Sequence, residues 1–464
     1  MPFARLSLAV ALPAPMAEMR AQESNNAAIV ARIDSLAKDY MTLKKAPALS
    51  IAVVRGKDTL VMKGYGLASR ETNRAATAST IYRIGSITKQ FTAAGIMREV
   101  EQGKILLDSP ITKYLPDVPT HGQRITVRNL LNHTSGVHNY TDKPEWVKRW
   151  GEEMTPRQIV AFVDKDTLDF APGTKYSYSN TGYVLLGMIL EKVTGQPYAT
   201  YLQRQFFTPL GLTQTSYCPD KPKDPQFADG YAASSGTVKP AEYLNITQPF
   251  SAGAVCSTVR DLVKWHRALL DGRVVGARSY SLMTTADTLN NGSKINYGFG
   301  LIPGQLNGKR MIGHSGGING FTTYGLYVPD ENLNVIVLSN SDGGPGPLAL
   351  NATRAVLGVP IVPMPKPLVA VALADSLRDR IPGVYDFGEL VLRITLEDGR
   401  MMAQPDGPGQ PKFPIVHLGN LRFGADIDRS ISITFINENG KISKAQFTQR
   451  GSSLDGTRKP SPSP

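Results

Sequence analysis

The sequence has little of what marks membrane-spanning, metal-binding or nucleic-acid-binding proteins. Beyond residue 22 it contains no apolar run that approaches the roughly 20 residues a helix needs to cross a bilayer. No spacing of His, Cys, Asp and Glu is typical of a metal site, and no metal or other cofactor is expected. The formal charge is +12, but Lys and Arg are scattered, without basic runs or interleaved aromatic residues. We therefore expect no nucleic-acid partner.

Cysteine is also scarce, with Cys218 and Cys256 as the two thiols of a 464-residue chain. In an exported protein they can pair and close a loop of moderate length. Two buried free thiols are the alternative that the sequence leaves open. Neither has a histidine near it in sequence, so neither is a candidate nucleophile.

Residues 1–22 resemble an export signal. Arg5 forms a short basic segment, and Leu6 to Ala17 is mostly apolar but too short to span a membrane. This pattern predicts an exported protein, either periplasmic or secreted. The alternative is a frayed N-terminus of a cytoplasmic protein.

The rest of the chain has the pattern of a soluble globular protein with more than one domain. Two β-rich hairpin patterns enclose a region of mainly helical signals: strands Leu49 to Val54 and Thr59 to Met62, and strands Phe321 to Val328 and Val335 to Asn340. We predict an α/β (α+β) domain over 23–358, in which an antiparallel sheet is flanked by helices and interrupted by a helical insertion.

Composition changes after residue 358. Prolines at 360, 363, 365 and 367 predict a linker over 359–380. Short alternating strands separated by Gly-containing turns follow over 381–460, including Leu390 to Leu396 and Ile431 to Phe435. They predict a small C-terminal β-barrel-like domain.

The most reactive pattern is Ser86-Ile87-Thr88-Lys89 at the start of a helical stretch. Residues three apart share a helix face, so Ser86 and Lys89 are expected side by side. A serine needs a base to become a nucleophile, and burial can keep a lysine neutral enough to act as one. Ser35 to Lys38 has the same spacing, but lies in an amphipathic surface helix.

A second candidate element is Tyr178-Ser179-Asn180, in a loop before an apolar helix predicted to begin near Tyr183. Tyr178 could relay protons near the serine and lysine, and Asn180 could orient a substrate amide or carbonyl. The same pattern recurs at Tyr243-Leu244-Asn245, so the motif alone does not identify a site.

The third element is His314-Ser315-Gly316-Gly317, just before the strand pattern at Phe321. Its glycines allow a backbone to approach a substrate and present an N–H to a developing oxyanion. The spacing fits neither a P-loop nor a dinucleotide-binding fingerprint.

The order of these motifs resembles the serine β-lactamase and penicillin-binding-protein-like superfamily, on the branch with class C β-lactamases, esterases and D-aminopeptidases. The resemblance covers about residues 30–355. It rests on the Ser86-x-x-Lys89 helix, the Leu130-Leu131-Asn132-His133-Thr134-Ser135-Gly136 turn, the Pro172-Gly173 to Asn180 loop, Ala252-Gly253 through Leu262, and His314 to Gly317.

The resemblance implies that Ser86 is acylated, Lys89 is its base partner and Tyr178 relays protons. The N–H groups of Ser86 and Gly317 would form the oxyanion hole, and His314 and Gly316 would belong to the substrate-binding edge. A lysine stands at the place of His314 in the related Lys-Thr-Gly motif. A mostly neutral histidine there favours esters, amides or peptides, including D-amino-acid peptides, over β-lactams.

We therefore expect a serine hydrolase that works through an acyl-enzyme on a small-molecule or peptide ester or amide. Two alternatives belong to other classes: a catalytically silent penicillin-binding or sensor protein, and a cell-wall-binding protein that acts through its C-terminal module. By the same resemblance, residues 381–460 are similar to the lipocalin-like domains of some relatives. His133 is expected to be structural.

Overall fold

The computed structural model describes residues 14–222, 224–233, 237–364, 368–388, 390–397, 399–406, 412–425, 430–449 and 452–460, with side chains from residue 23 onward. The chain divides into two compact units between Val362 and Pro363. Most of the predicted export signal, residues 1–13, lies outside the described part. So do residues 365–367 of the predicted linker.

A seven-stranded antiparallel sheet forms the centre of the first unit, in the order β3-β2-β1-β12-β11-β10-β9. Its strands are β1 (Ala48–Arg55), β2 (Asp58–Ser69), β3 (Arg74–Ala75), β9 (Ile302–Leu306), β10 (Lys309–Ile318), β11 (Phe321–Val328) and β12 (Leu333–Ser339). The strands β4 (Tyr82–Arg83), β5 (Ser216–Tyr217), β6 (Tyr231–Ala232), β7 (Lys239–Pro240) and β8 (Val255–Ser257) lie in two small sheets.

The neighbouring strands β1 and β12 come from opposite ends of the first unit and pair within the sheet. Seven of the eight residues of β1 are buried, and every residue of β12 is buried. Such unbroken burial is possible only when both faces of a strand are covered. They pair antiparallel from Leu49 with Ser339 to Arg55 with Leu333, so the two ends of the predicted domain meet at the centre of the sheet.

Helices cover this sheet and form the region between its two halves. They are α1 (Ala14–Lys44), α2 (Thr88–Glu101), α3 (Val127–Leu131), α4 (Pro144–Val147), α5 (Pro156–Val160), α6 (Asn180–Thr194), α7 (Tyr198–Leu202), α8 (Phe250–Gly253), α9 (Val259–Leu270), α10 (Ala277–Thr284) and α11 (Gly346–Leu357). Helix α2 is buried on nearly all sides and packs against α6 and α8. A helix so enclosed can carry a charged residue only with its charge suppressed or paired.

The three-stranded sheet β4-β8-β5 joins segments that flank the reactive serine. Strand β4 ends three residues before Ser86, and β8 follows α8 directly. Cys218 and Cys256 form a disulfide across this sheet, with Cα atoms 5.1 Å apart. Of the two alternatives that the sequence left open for the cysteines, the structure contains the disulfide.

The second unit is a closed antiparallel barrel of eight strands. They are β13 (Gly383–Asp386), β14 (Val391–Glu397), β15 (Arg400–Pro405), β16 (Phe413–His417), β17 (Arg422–Ala425), β18 (Ser432–Glu438), β19 (Lys441–Gln449) and β20 (Ser452–Arg458), and the short helix α12 (Asp375–Arg378) precedes them. Alternate residues such as Leu392, Ile394 and Phe435 fill the interior with a separate apolar core. Closure leaves no unpaired edge for another strand to join.

The predicted fold class is confirmed: a mixed unit with an antiparallel sheet and a helical insertion, followed by a β-barrel. The predicted strand over 321–328 has the bounds of β11. The predicted strand Thr59 to Met62 was too short, because β2 continues to Ser69 along the whole of β1 and then pairs with β3. Among the described residues, no helix combines the length and the apolar character needed to cross a membrane.

Candidate active site

Ser86 lies in a 3-10 turn, Gly85–Ile87, that leads directly into α2. The turn is held on one side by the Ile84 N–H, which donates to the Val255 carbonyl at 3.0 Å. On the other side the Thr323 hydroxyl donates to the Ile84 carbonyl at 3.0 Å. These bonds fix the segment before the serine, while Ser86 itself stays partly exposed.

Lys89 lies one turn further along and is completely buried. Its Nζ is 3.2 Å from Ser86 Oγ, 2.8 Å from Asn180 Oδ1 and 2.9 Å from the Ala252 carbonyl oxygen. Burial lowers the pKa of Lys89 well below its usual range. No carboxylate is among the described groups that bond to it, so little opposes the effect of desolvation.

The lowered pKa of Lys89 favours a neutral amine, and its three contacts can be met in that state as well as in the charged one. A neutral amine has two N–H groups and one lone pair. The Asn180 and Ala252 oxygens can only accept, so they take the two N–H groups. The lone pair is then left for the Ser86 hydroxyl. Such an arrangement can accept the serine proton when Ser86 attacks a carbonyl.

Tyr178 lies beside this pair, with its ring centroid 4.7 Å from Lys89 Nζ. Burial raises the pKa of the Tyr178 phenol, and the neighbouring Ser86 hydroxyl offsets part of that rise. The phenol is therefore neutral at physiological pH and can donate a proton. Its hydroxyl is shielded from solvent and has no hydrogen bond of ordinary geometry within the described part of the chain.

His133 supports the tyrosine from behind. The two rings stack with centroids 4.3 Å apart, and His133 Nδ1 accepts the Ser179 N–H at 3.1 Å. Burial, and then the proximity of Lys89, lower the pKa of His133 well below its usual range. The expected structural role of His133 is consistent with this geometry.

Asn180 is the first residue of α6, which therefore begins three residues before the predicted start near Tyr183. The Ser179 hydroxyl caps the helix by accepting the Gly182 N–H. The Asn180 N–H donates to Asn139 Oδ1 at 3.0 Å, and its side-chain amide lies 3.4 Å from Thr141 Oγ1. The side-chain oxygen of Asn180, Oδ1, accepts a hydrogen bond from Lys89.

His314 lies on β10 and is buried. Its Nδ1–H donates to the Ser315 carbonyl at 2.5 Å, so Nε2 accepts the Tyr297 hydroxyl at 2.9 Å. Burial lowers the pKa of His314 to about 4. The side chain is thus a neutral member of a buried aromatic cluster and supplies no fixed positive charge to the site.

Close backbone packing explains the glycines on either side of the serine. A Cβ on Gly316 would come within 2.0 Å of the Ile84 carbonyl oxygen, and one on Gly85 within 2.8 Å of Gly317 N. Gly85 also has a φ of +52°, which favours glycine. A Cβ on Gly317 would meet nothing within 4 Å, because that position faces the open cleft.

A cleft of about 130 Å³ opens at Ser86. Its lining comprises Gly85, Ser86, Tyr140, Thr141, Trp146, Asn180, Leu244, Pro249, Ala252, Gly253, Gly317, Ile318 and Asn319. A larger groove of about 560 Å³ lies elsewhere, between α10 and β9, and contains none of the reactive residues. We take the smaller cleft as the candidate active site because it contains the nucleophile candidate.

The structure brings the seven predicted site residues into one region, at different depths. Ser86, Asn180 and Gly317 line the cleft, and Lys89 and Tyr178 lie next to Ser86. His314 and Gly316 lie behind this surface. Tyr140, Trp146 and Leu244 form the cleft walls and were not predicted from the sequence, because they come from separate segments and share no motif. No cluster of three or more His, Cys, Asp or Glu side chains suited to a metal occurs in the described ranges.

The chain matches a known family. The family model described as Beta-lactamase matches residues 33–359. The chain therefore belongs to the Beta-lactamase family. Relatives of this chain include serine hydrolases.

The curated relatives include penicillin-binding proteins and D-aminopeptidases. Penicillin-binding protein 4* of Bacillus subtilis is 31% identical over 63% of this chain and 68% of its own length. The D-aminopeptidase of Brucella melitensis biotype 2 is 29% identical over 80% of this chain and 70% of its own length.

Solved structures give the same result. The D-amino acid amidase of Ochrobactrum anthropi SV3, complexed with L-phenylalanine amide, has a TM-score of 0.63 and 28% identity over 71% of this chain and 99% of its own. The octameric penicillin-binding protein homologue from Pyrococcus abyssi has a TM-score of 0.64 and 26% identity over 92% of this chain and 99% of its own.

Proposed function

We propose that this chain hydrolyses esters or amides, including amides and peptides of D-amino acids, through an acyl-enzyme on Ser86. The observation that carries the proposal is the buried Lys89, with both N–H groups of its neutral form engaged and its lone pair left for Ser86 Oγ 3.2 Å away. The D-aminopeptidase and D-amino acid amidase relatives support amides as the substrate class.

In the acylation step, Ser86 Oγ attacks the substrate carbonyl carbon while its proton passes to Lys89 Nζ. The carbonyl oxygen becomes an oxyanion, which the N–H groups of Ser86 and Gly317 stabilise. When the intermediate collapses, the bond to the leaving group breaks, the Tyr178 hydroxyl gives the leaving group its proton, and Lys89 returns the serine proton to Tyr178. Asn180 keeps Lys89 in place and orients the substrate.

Deacylation repeats these steps with water as the nucleophile. As the water attacks the acyl carbon, Tyr178 takes its proton and passes the phenol proton to Lys89, so that the lysine is the final acceptor. The ester bond then breaks and the proton returns to Ser86 Oγ. The raised pKa of Tyr178 and the lowered pKa of Lys89 support this division, since the lysine can accept a proton and the phenol has one to give.

We also propose that β-lactamase activity is weak or absent. A cation at the position of His314 would attract the carboxylate of a β-lactam, but this histidine is neutral and bonded internally to Tyr297. Nitrocefin should therefore be hydrolysed more slowly than the best ester. Nitrocefin hydrolysis as efficient as that of the best ester would contradict this part of the proposal.

Export and domain organisation are proposals of the same kind. The disulfide between Cys218 and Cys256 supports an oxidising compartment, periplasmic or extracellular. The division of the chain after Val362 supports a catalytic domain over 23–358 and a separate lipocalin-like domain over 381–460, joined by the linker 359–380.

A fluorophosphonate probe tests the nucleophile directly. It should label Ser86, as found by peptide mass mapping, and Ser86→Ala should abolish turnover of p-nitrophenyl acetate. The matched control is Ser35→Ala, because Ser35 also lies three residues before a lysine but is exposed on α1. Labelling of another serine would refute the assignment. Stoichiometric labelling of Ser86 without multiple turnover would favour the silent penicillin-binding alternative.

A further inference from the structure

We propose that the cleft beside Ser86 selects substrates whose acyl group is apolar and uncharged. This inference rests on the proposed function, since it assigns the acyl side of the substrate to this cleft. It names a narrower substrate class than esters and amides in general.

The walls of the cleft are apolar and firmly held. Tyr140, Trp146 and Leu244 line it, and each is buried to more than nine-tenths. Tyr140 and Trp146 pack edge to face, with ring centroids 5.3 Å apart. The Tyr140 hydroxyl donates to the Gln248 carbonyl at 3.0 Å. Because its O–H group is used in this bond, Tyr140 contributes mainly ring surface to the wall.

The polar part of the lining is neutral. Among the described residues that line the cleft, none has a charged side chain, and the polar side-chain groups are hydroxyls, amides and the Trp146 indole N–H. Thr141 Oγ1 accepts the Asn139 amide at 2.6 Å, and the Asn319 amide donates to the Glu242 carbonyl at 3.2 Å. These groups are partly occupied by the protein and offer no counter-charge to an ammonium or a carboxylate.

Two charged residues close in sequence to the lining, Arg83 and Asp142, do not line it and have hydrogen-bond partners within the protein. The Arg83 guanidinium donates to the backbone carbonyls of Leu244 and Asp220, at 3.0 and 3.1 Å. The guanidinium therefore lies against backbone behind the wall. Asp142, the residue after Thr141, accepts the Asn139 amide at 3.1 Å and does not line the cleft.

An acyl group that enters this cleft exchanges water for aromatic and aliphatic surface. An apolar chain gains from that exchange, whereas an ammonium or carboxylate group loses its hydration without finding a partner of opposite charge. The cleft should therefore favour acyl groups without a free amine or acid, such as N-acylated residues or aliphatic and arylalkyl acids. Among D-amino-acid substrates, it should accept N-acylated ones in preference to amides with a free α-amine.

Three p-nitrophenyl esters of equal acyl length test the inference on the full chain: hexanoate, 6-aminohexanoate and the monoester of adipate. They share a leaving group and differ only at the end of the acyl chain. We expect kcat/KM for hexanoate to exceed that for p-nitrophenyl acetate by at least about tenfold, and to exceed that for each charged ester by at least about tenfold, within the range that apolar pockets achieve.

Two variants locate the selectivity. Ile318→Asp places a carboxylate on the cleft wall, at a half-exposed position at the end of β10. It should raise the ratio of kcat/KM for the 6-aminohexanoate ester to kcat/KM for the hexanoate ester by about tenfold or more. Asp142→Asn is the matched control, because it changes a nearby carboxylate that does not line the cleft, and should leave the ratio unchanged. Thermal melting checks that both variants are folded.

The outcomes separate this inference from the proposed function. If Ser86→Ala still hydrolyses p-nitrophenyl acetate, the proposed function fails. If hydrolysis depends on Ser86 but a charged ester matches hexanoate, only the inference is overturned. A fall in the 6-aminohexanoate ratio in Asp142→Asn would also overturn it, since Asp142 would then recognise a cationic acyl group.

Discussion

Replacing Gly85 with alanine tests whether the position of β10 relative to Ser86 controls the reaction. Two effects are expected. An L-residue at a φ of +52° is strained by about 1–2 kcal/mol. In addition, the new Cβ would lie 2.8 Å from both the nitrogen and the oxygen of Gly317, closer than real Cβ contacts, so the turn or the strand must shift.

The second effect concerns the oxyanion hole. The N–H groups of Ser86 and Gly317 must both point at the same oxygen, and a misplacement of about 1 Å in such a site can cost about 10²-fold in rate. Because an oxyanion exists only in the transition state and the intermediate, we expect the loss mainly in kcat.

Gly56 provides a matched control. Its φ is +55°, but a Cβ there would meet nothing within 4 Å. Gly56→Ala should therefore share the strain and lower the free energy of unfolding by about 1–2 kcal/mol, without changing kcat. The assays are p-nitrophenyl acetate kinetics and urea unfolding on both variants. Full activity in Gly85→Ala, or an equal loss of kcat in Gly56→Ala, would refute the reasoning.

Three other predictions use electrostatics and chain entropy. Asn180→Asp places a carboxylate 2.8 Å from Lys89 Nζ, an attraction of about 6 kcal/mol at an effective dielectric constant of about 20. It should raise the pKa of Lys89, move the acidic limb of the kcat/KM profile to higher pH and lower the rate at pH 7 about 10²-fold; an unchanged profile would contradict a neutral Lys89. Burial lowers the pKa of His266 from 6.5 to about 4, so the unfolded chain binds the extra proton between these values, and stability should fall by about 3 kcal/mol as the pH drops through that window. His266→Gln should flatten this part of the urea-unfolding profile, and an equally steep profile would show that other groups cause the fall. Replacing Cys218 and Cys256 with alanine frees a loop of 38 residues and should lower the free energy of unfolding by about 4 kcal/mol; a change under 1 kcal/mol would show that the loop is already restricted in the unfolded chain.

The sequence predicted what depends on local spacing. Ser86 and Lys89 are three residues apart, so a helix brings them together whatever surrounds it. The strand over 321–328 has its observed bounds because its burial and turn signals are local. The Ala252 carbonyl that bonds to Lys89, and Tyr297 that bonds to His314, were missed because both contacts depend on how distant segments pack.

The same limit applies to the barrel and the cleft. Alternating residues predict strands in the second unit, but closure depends on pairing between Tyr385 of β13 and Arg458 of β20. The wall residues Tyr140, Trp146 and Leu244 are apolar in sequence, as are many core residues. Only their common position in space distinguishes them.

The position of β12 in the sheet affects how the chain can fold during synthesis. The Ser339 hydroxyl bonds to the Ala48 carbonyl, 291 residues earlier in the chain. At about 5–20 residues per second, the ribosome needs roughly 15–60 s to make the segment between them. For that time the edge of β1 that pairs with β12 has no partner strand, while helices with local contacts, such as α5 and α6, can already form. The nascent chain therefore exposes an aggregation-prone edge until the β11–β12 hairpin emerges, and late chaperone protection of β1 should matter more for yield than the stability of the finished fold.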